Sequence, residues 1–131
     1  MENQKTYSIG ELARAFDVTT RTIRFYEDQG LLSPERRGQT RIYSAADRTT
    51  LKLILRGKRL GFSLAESRDL IRMYRPAGDN RDQLGALIGK INEKRAQLEQ
   101  QLTDIRILQG ELDDAEARAR QAMQNLEDDN V

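Results

Sequence analysis

The sequence predicts an all-α fold interrupted by one small β-hairpin and continued by a single long helix that needs a partner. Three observations predict it. Apolar residues recur at helical spacing in segments that each open on a Ser or Thr able to cap a helix. One stretch, 33–43, loses that period, carries Pro34 and Gly38, and ends in the β-favouring Ile42 and Tyr43. From 81 to 123 there is no proline, and one apolar stripe runs the whole way.

The first segment opens at Ser8, with Ile9, Leu12, Ala13 and Phe16 recurring at i, i+3, i+4 and i+7 and Glu11 completing a capping box. Asp17 and Val18 make a tight break. Thr19 then caps a second helix over about 20–29, which Gly30 stops, leaving Leu31 and Leu32 to tuck back under its end. After the hairpin, Ser44 with Asp47 opens a helix to about residue 60, ended by Gly61, whose Leu51, Ile54, Leu55 and the stem of Lys58 face the core. Ser63 with Glu66 opens a fourth helix, packing through Leu64, Leu70, Ile71 and Tyr74. The run Arg75-Pro76-Ala77-Gly78-Asp79-Asn80 breaks the pattern, because proline cannot continue a helix and Gly-Asp-Asn favours turns. This closes a domain over 6–75.

The stripe beyond it comprises Leu84, Leu87, Ile88, Ile91, Leu98, Leu102, Ile105, Leu108, Leu112, Ala115 and Ala119. About forty residues at ~1.5 Å each make a helix of roughly 60 Å, and a lone helix of that length cannot bury such a stripe. Gly110 is too weak a breaker to fold it into a hairpin. Residues 81–123 therefore read as a coiled-coil dimerisation helix joined to a second copy, and 124–131 as an acidic tail expected to fray. Gly85 and Gly89, four apart, offer either a close helix approach with a small cavity or simply a soft start to the coil.

The net charge of +1 conceals an uneven distribution. Residues 1–75 hold 15 Lys or Arg against 9 Asp or Glu, whereas 76–131 hold 7 against 12. All seven aromatics, Tyr7, Phe16, Phe25, Tyr26, Tyr43, Phe62 and Tyr74, lie in the first part. A compact basic domain is thus joined to an acidic helix. Cysteine and histidine are both absent, which removes disulfides, thiolate and imidazole metal sites, and Cys- or His-based catalysis. With no glycine-rich phosphate loop either, no catalytic constellation can be drawn, and no catalytic residue, metal or cofactor is expected. No run approaches the roughly 18 apolar residues of a membrane span, so the expectation is a cytoplasmic protein without a membrane partner.

Two short helices around a tight turn form a helix-turn-helix when the first is buried and the second keeps an exposed polar face. In Thr20-Arg21-Thr22-Ile23-Arg24-Phe25-Tyr26-Glu27, Ile23 and one aromatic can face inward, leaving Thr20, Arg21 and Arg24 outside. Arginines there can reach guanine edges bidentately or clamp phosphates, although a merely solvated amphipathic helix has the same spacing. Arg36, Arg37 and Arg41 with Tyr43 on the following hairpin extend the basic footprint as a wing, and Lys58 near the end of the third helix adds to it. Two alternatives stay open: an architectural coiled-coil protein that binds DNA without sequence preference, and a protein-binding adaptor that has kept the fold alone.

The run TYSIGELARAFDVTTRTIRFYEDQGLLSPERRGQTRIY, followed by LGFSLAE, resembles the MerR family of bacterial regulators. The resemblance implies a winged helix-turn-helix domain, a linking helix pair, and a long helix that forms an antiparallel coiled coil with the twin subunit. It implies binding of a pseudo-palindromic site in double-stranded promoter DNA and distortion of that DNA, which acts on RNA polymerase indirectly. Carried onto this chain, Arg21, Arg24 and Tyr26 would read or clamp the major groove, while Arg37, Arg41 and Tyr43 would hold the flanking backbone. Many members have Tyr-Tyr where this chain has Phe25-Tyr26, a departure at the position of one possible phosphate hydrogen bond. Members that sense metals use cysteines beyond the coiled coil, and these are missing here, so a small-molecule effector is expected instead. The wording ERRGQTRIYSAADRTTLKLILRGKRLGFSLAE and KRAQLEQQLTDIRILQ is most similar to the branch regulating leucine and isovalerate catabolism.

Overall fold

The structure, a computed structural model, describes residues 5–130. Its elements run β1 (Thr6–Tyr7), α1 (Ile9–Phe16), α2 (Thr20–Asp28), β2 (Glu35–Arg37), β3 (Thr40–Ser44), α3 (Ala45–Arg59), α4 (Leu64–Met73) and α5 (Arg81–Asp129). The chain divides into two units, one ending at Leu87 and the other starting at Ile88.

In the first unit the helix starts are local and self-sufficient. Ser8, Ser44 and Ser63 each accept from the backbone three residues on, and Glu11, Asp47 and Glu66 return the bond to the capping residue's own N–H. Each such cap satisfies otherwise orphaned donors and contributes about 1 kcal/mol. Asp47 does more: its second carboxylate oxygen accepts from the Ser33 backbone N–H at 3.2 Å, pinning the segment that leaves α2 to the start of α3. The stops are backbone devices. Gly30 and Gly61 take φ of 77° and 84°, and Asp17 accepts the left-handed conformation between α1 and α2.

The sheet is antiparallel with order β1-β3-β2. The hairpin β2–β3 turns through Gly38 and Gln39, pairing Arg37 with Thr40, Arg36 with Arg41 and Glu35 with Ile42. Strand β1, absent from the sequence-based expectation, pairs Tyr7 with Tyr43 and closes the other edge of β3. Leu12, Ile23, Tyr26, Leu32, Tyr43, Leu51 and Ile54 form the core beneath. Each such side chain stabilises by about 1.5–3 kcal/mol relative to exposure. Arg48 lies over the rings of Phe16 and Tyr7, sealing the seam between α1, β1 and α3.

Helices α3 and α4 cross closely because position 57 has no side chain. A Cβ on the buried Gly57 would run into Ser67 Oγ, with Phe62 Cδ2 at 3.5 Å behind it. At the start of α5, the buried Gln83 donates to the Leu70 carbonyl of α4 at 3.3 Å. Gly85 and Gly89 meet no close neighbour, so neither marks a tight approach within the chain.

The second unit is one helical rod. Ile88, Leu98, Ile105, Leu108 and Leu112 are each more than half exposed. The helix continues through the acidic tail to Asp129. Met123 and Leu126 extend the apolar stripe at heptad spacing from Ala119, and Gln121–Asn125 and Gln124–Asp128 hydrogen bonds span the last turns. No described helix is long and apolar enough to cross a membrane.

Candidate nucleic-acid interface

Helix α1 forms the floor of the site. Its Leu12 is fully buried against Ile23 of α2, and the turn between them is fixed by Val18 N–H donating to the Ala13 carbonyl at 3.0 Å. Thr19 Oγ1 accepts from the Thr22 N–H at 3.1 Å and sets the first turn of α2. At the other end, Arg68 of α4 donates through Nη2 to the Gln29 carbonyl at 2.9 Å, placing a cation at the helix C-terminus, where the macrodipole favours it. Sequence reading did not single out Arg68, because a contact across 39 residues leaves no local pattern.

Held at both ends, α2 presents Arg21, Arg24, Phe25 and Asp28 to solvent, with Thr20 half-buried at its start. Among the described residues neither Arg21 nor Arg24 has a hydrogen-bonding or ionic partner. Both guanidinium groups are therefore available to an external anion or base edge.

The inward aromatic is Tyr26, not Phe25. Tyr26 is 5% exposed and its ring belongs to the core, while Phe25 is 49% exposed. The reason is helical: Tyr26 lies three residues after the buried Ile23 and shares its face. Tyr26, Phe25, Ile54, Phe62, Leu64 and Ser67 line a shallow cavity of about 270 Å³, with the exposed Lys58 at its rim. The expectation that Tyr43 holds the flanking backbone is corrected. Tyr43 is fully buried beside β1, and its hydroxyl has no hydrogen-bond partner, so it packs the core and cannot touch a backbone phosphate. Burial pushes the hydroxyl pKa of both tyrosines up.

The three wing arginines are not equivalent. Arg36 Nη2 and Arg41 Nε each donate at 2.8 Å to the two oxygens of one carboxylate, Glu27 in the last turn of α2. Burial alone would raise the Glu27 carboxyl, but the hydrogen bonds and charges of the two arginines outweigh it and hold the pKa below the ordinary value. Arg37 points the other way, makes only a loose 3.6 Å ion pair with Glu35, and stays largely exposed. Glu27 leaves no local sequence signal, because its two partners lie 9 and 14 residues further along the chain.

Residues 7–74 match the model of the MerR HTH family of regulatory proteins, and residues 48–115 match the model described as MerR, DNA binding. The chain belongs to the MerR family. This MerR protein is 38% identical over 96 residues to the HTH-type transcriptional regulator HmrR of Rhizobium leguminosarum bv. viciae, a match covering 70% of the chain and 74% of HmrR. Over 67 residues it is 45% identical to ZntR of Escherichia coli (strain K12), spanning 50% of the chain and about half of that relative, 48%. Among solved structures it is similar to PbrR691 from Ralstonia metallidurans CH34, crystallised with lead(II), at a TM-score of 0.63 and 30% identity over 81% of each chain. As a MerR-family member it is a DNA-binding transcriptional regulator and not an enzyme. Its predicted fold class stands: mostly helical, with a small wing and a long C-terminal helix.

Proposed function

We propose that this MerR protein is a homodimeric, sequence-specific regulator that binds a pseudo-palindromic promoter site and distorts it, so that RNA polymerase is affected through the DNA. The observation that carries the reading is the pair of unpartnered, exposed guanidinium groups, Arg21 and Arg24, on a helix capped and anchored at both ends. Thr20, Arg21 and Arg24 read base edges or adjacent phosphates, and Arg37 and Lys58 hold the flanking backbone. Arg36 and Arg41 shape the wing.

The dimer is supported by the exposed stripe of α5, which only another apolar surface can cover. An antiparallel arrangement suits its charges. Residues 111–129 hold seven Asp or Glu against two Lys or Arg, whereas 81–110 hold four against five. Parallel pairing would set the two acidic ends together; antiparallel pairing places each beside the less acidic end of the other copy.

The effector we propose is a small organic metabolite. The 131 residues contain neither Cys nor His, and no group of three or more His, Cys, Asp or Glu suited to a metal is found among the described residues. The sequence wording that resembles the leucine and isovalerate branch makes a metabolite of branched-chain amino acid breakdown the first compound class to try. Architectural binding without sequence preference is the competing reading.

Selection of bound sequences from a random duplex pool separates the two. An enriched inverted repeat, whose preference Arg24→Ala abolishes, is the expected result, with sedimentation showing a dimer that Leu98→Asp splits. An unenriched pool bound equally by wild type and variant would establish the architectural role instead.

A further inference from the structure

Three features near the wing are each unfavourable alone. Glu27 puts a negative charge in the last turn of α2, where the helix macrodipole disfavours it. Arg36 and Arg41 stand directly opposite each other across β2 and β3, a like-charged pair that repels. A carboxylate with each oxygen accepting one guanidinium at 2.8 Å resolves both conflicts together. The Glu27 side chain is only 13% exposed, so few solvent dipoles compete with that arrangement. A phosphate diester offers the same chemistry, two anionic oxygens facing two guanidinium groups.

We propose that Glu27 is a positioning residue that acts as an internal substitute for a phosphate, withholding Arg36 and Arg41 from the DNA backbone and fixing the wing to the recognition helix. Only Arg37 of the three wing arginines then remains to neutralise backbone charge. The wing consequently adds orientation to binding while adding little sequence-independent attraction, which favours selectivity over affinity. This inference rests on the reading that α2 and the wing face DNA.

The test compares wild type, Glu27→Gln and the triple variant Glu27→Gln/Arg36→Gln/Arg41→Gln on a mixed-sequence 40-base-pair duplex over a salt series. Each phosphate contact changes the slope of log K against log salt by about 0.9, so two released arginines steepen it by roughly 1.8 per protomer. Between about 50 and 200 mM salt, the Glu27→Gln dimer, with the change counted in both protomers, should therefore lose about a hundredfold more affinity than wild type, starting from tighter binding at low salt. The triple variant, lacking the released charges, should return to the wild-type slope. An unchanged slope in Glu27→Gln overturns the proposal, as does a triple variant with a slope clearly below wild type, because Arg36 and Arg41 would then already contact phosphates. Should Glu27→Gln fail to fold, the triple variant still decides, since it removes the carboxylate and both opposed charges at once. Wild type that binds no duplex, or an Arg24→Ala variant indistinguishable from it, would refute the DNA-facing reading itself and the proposal with it.

Discussion

Gly57 offers the most direct test of the packing that supports the interface. Replacing it by alanine stiffens α3, a gain of about 1 kcal/mol for Ala over Gly in a helix interior. Against that, the new methyl overlaps Ser67 Oγ at the buried α3–α4 crossing, and overpacking of this kind costs about 1–3 kcal/mol. Gly57→Ala alone should therefore lose about 1 kcal/mol. With Ser67→Ala in place, the nearest atom of residue 67 is its Cβ at 3.6 Å, an ordinary contact, and the helix gain survives. In that background Gly57→Ala should stabilise by about 1 kcal/mol, a coupling of roughly 2 kcal/mol between the two positions. Urea unfolding of the four proteins at one fixed protomer concentration measures it, the fixed concentration removing the mass-action contribution of dimerisation. Additivity within about 0.5 kcal/mol would mean the helices do not cross as closely as described.

Two further outcomes follow from the interior of the wing. Tyr43→Phe removes a buried hydroxyl without a partner, so it should raise stability by about 1 kcal/mol and leave DNA affinity unchanged; thermal melts and a binding titration check both, and a loss of either would show the hydroxyl to be satisfied or in use. The Glu27 pin should fail in acid. Because its folded pKa is depressed, its stabilisation is complete above the ordinary carboxylate value of 4.5 and is lost as pH falls through the lower folded value. Arg36 and Arg41 are the groups that face it, so the stability gap between wild type and Glu27→Gln should narrow as pH falls below 4.5 and close once the carboxyl is protonated in the folded protein; a gap independent of pH would deny the ion pairs their role.

Most of the scaffold is legible in the chain because its signals are local. A Ser followed three residues later by an acid marks α1, α3 and α4, and glycine at positive φ marks where α2 and α3 stop. What escaped was non-local. Strand β1 is two residues long, too short for any period, and exists only because β3 lies beside it. Missing it made Tyr43 look like a wing-surface residue, when it pairs with Tyr7 and is fully buried. The choice between Phe25 and Tyr26 was available in principle, since three-residue spacing from Ile23 selects Tyr26. The extension of α5 to Asp129 was available too: Leu126 continues the stripe, and the last turns contain neither Pro nor Gly. Within the site, Arg21 and Arg24 were readable from helix periodicity. The division of the wing arginines was not, because it depends on Glu27 lying 9 and 14 residues away in sequence.

The two-residue turn at Gly38 and Gln39 constrains how this wing can change over time. Arg41 and Tyr43 alternate onto the inward side of β3, and Arg36 joins them there only through its direct pairing with Arg41. One added or deleted residue in either strand would turn the affected arginine to the outside and leave Glu27 holding a single partner. Insertions and deletions in the strands should therefore be tolerated in pairs and rejected singly, so the wing can grow or shrink only in even steps.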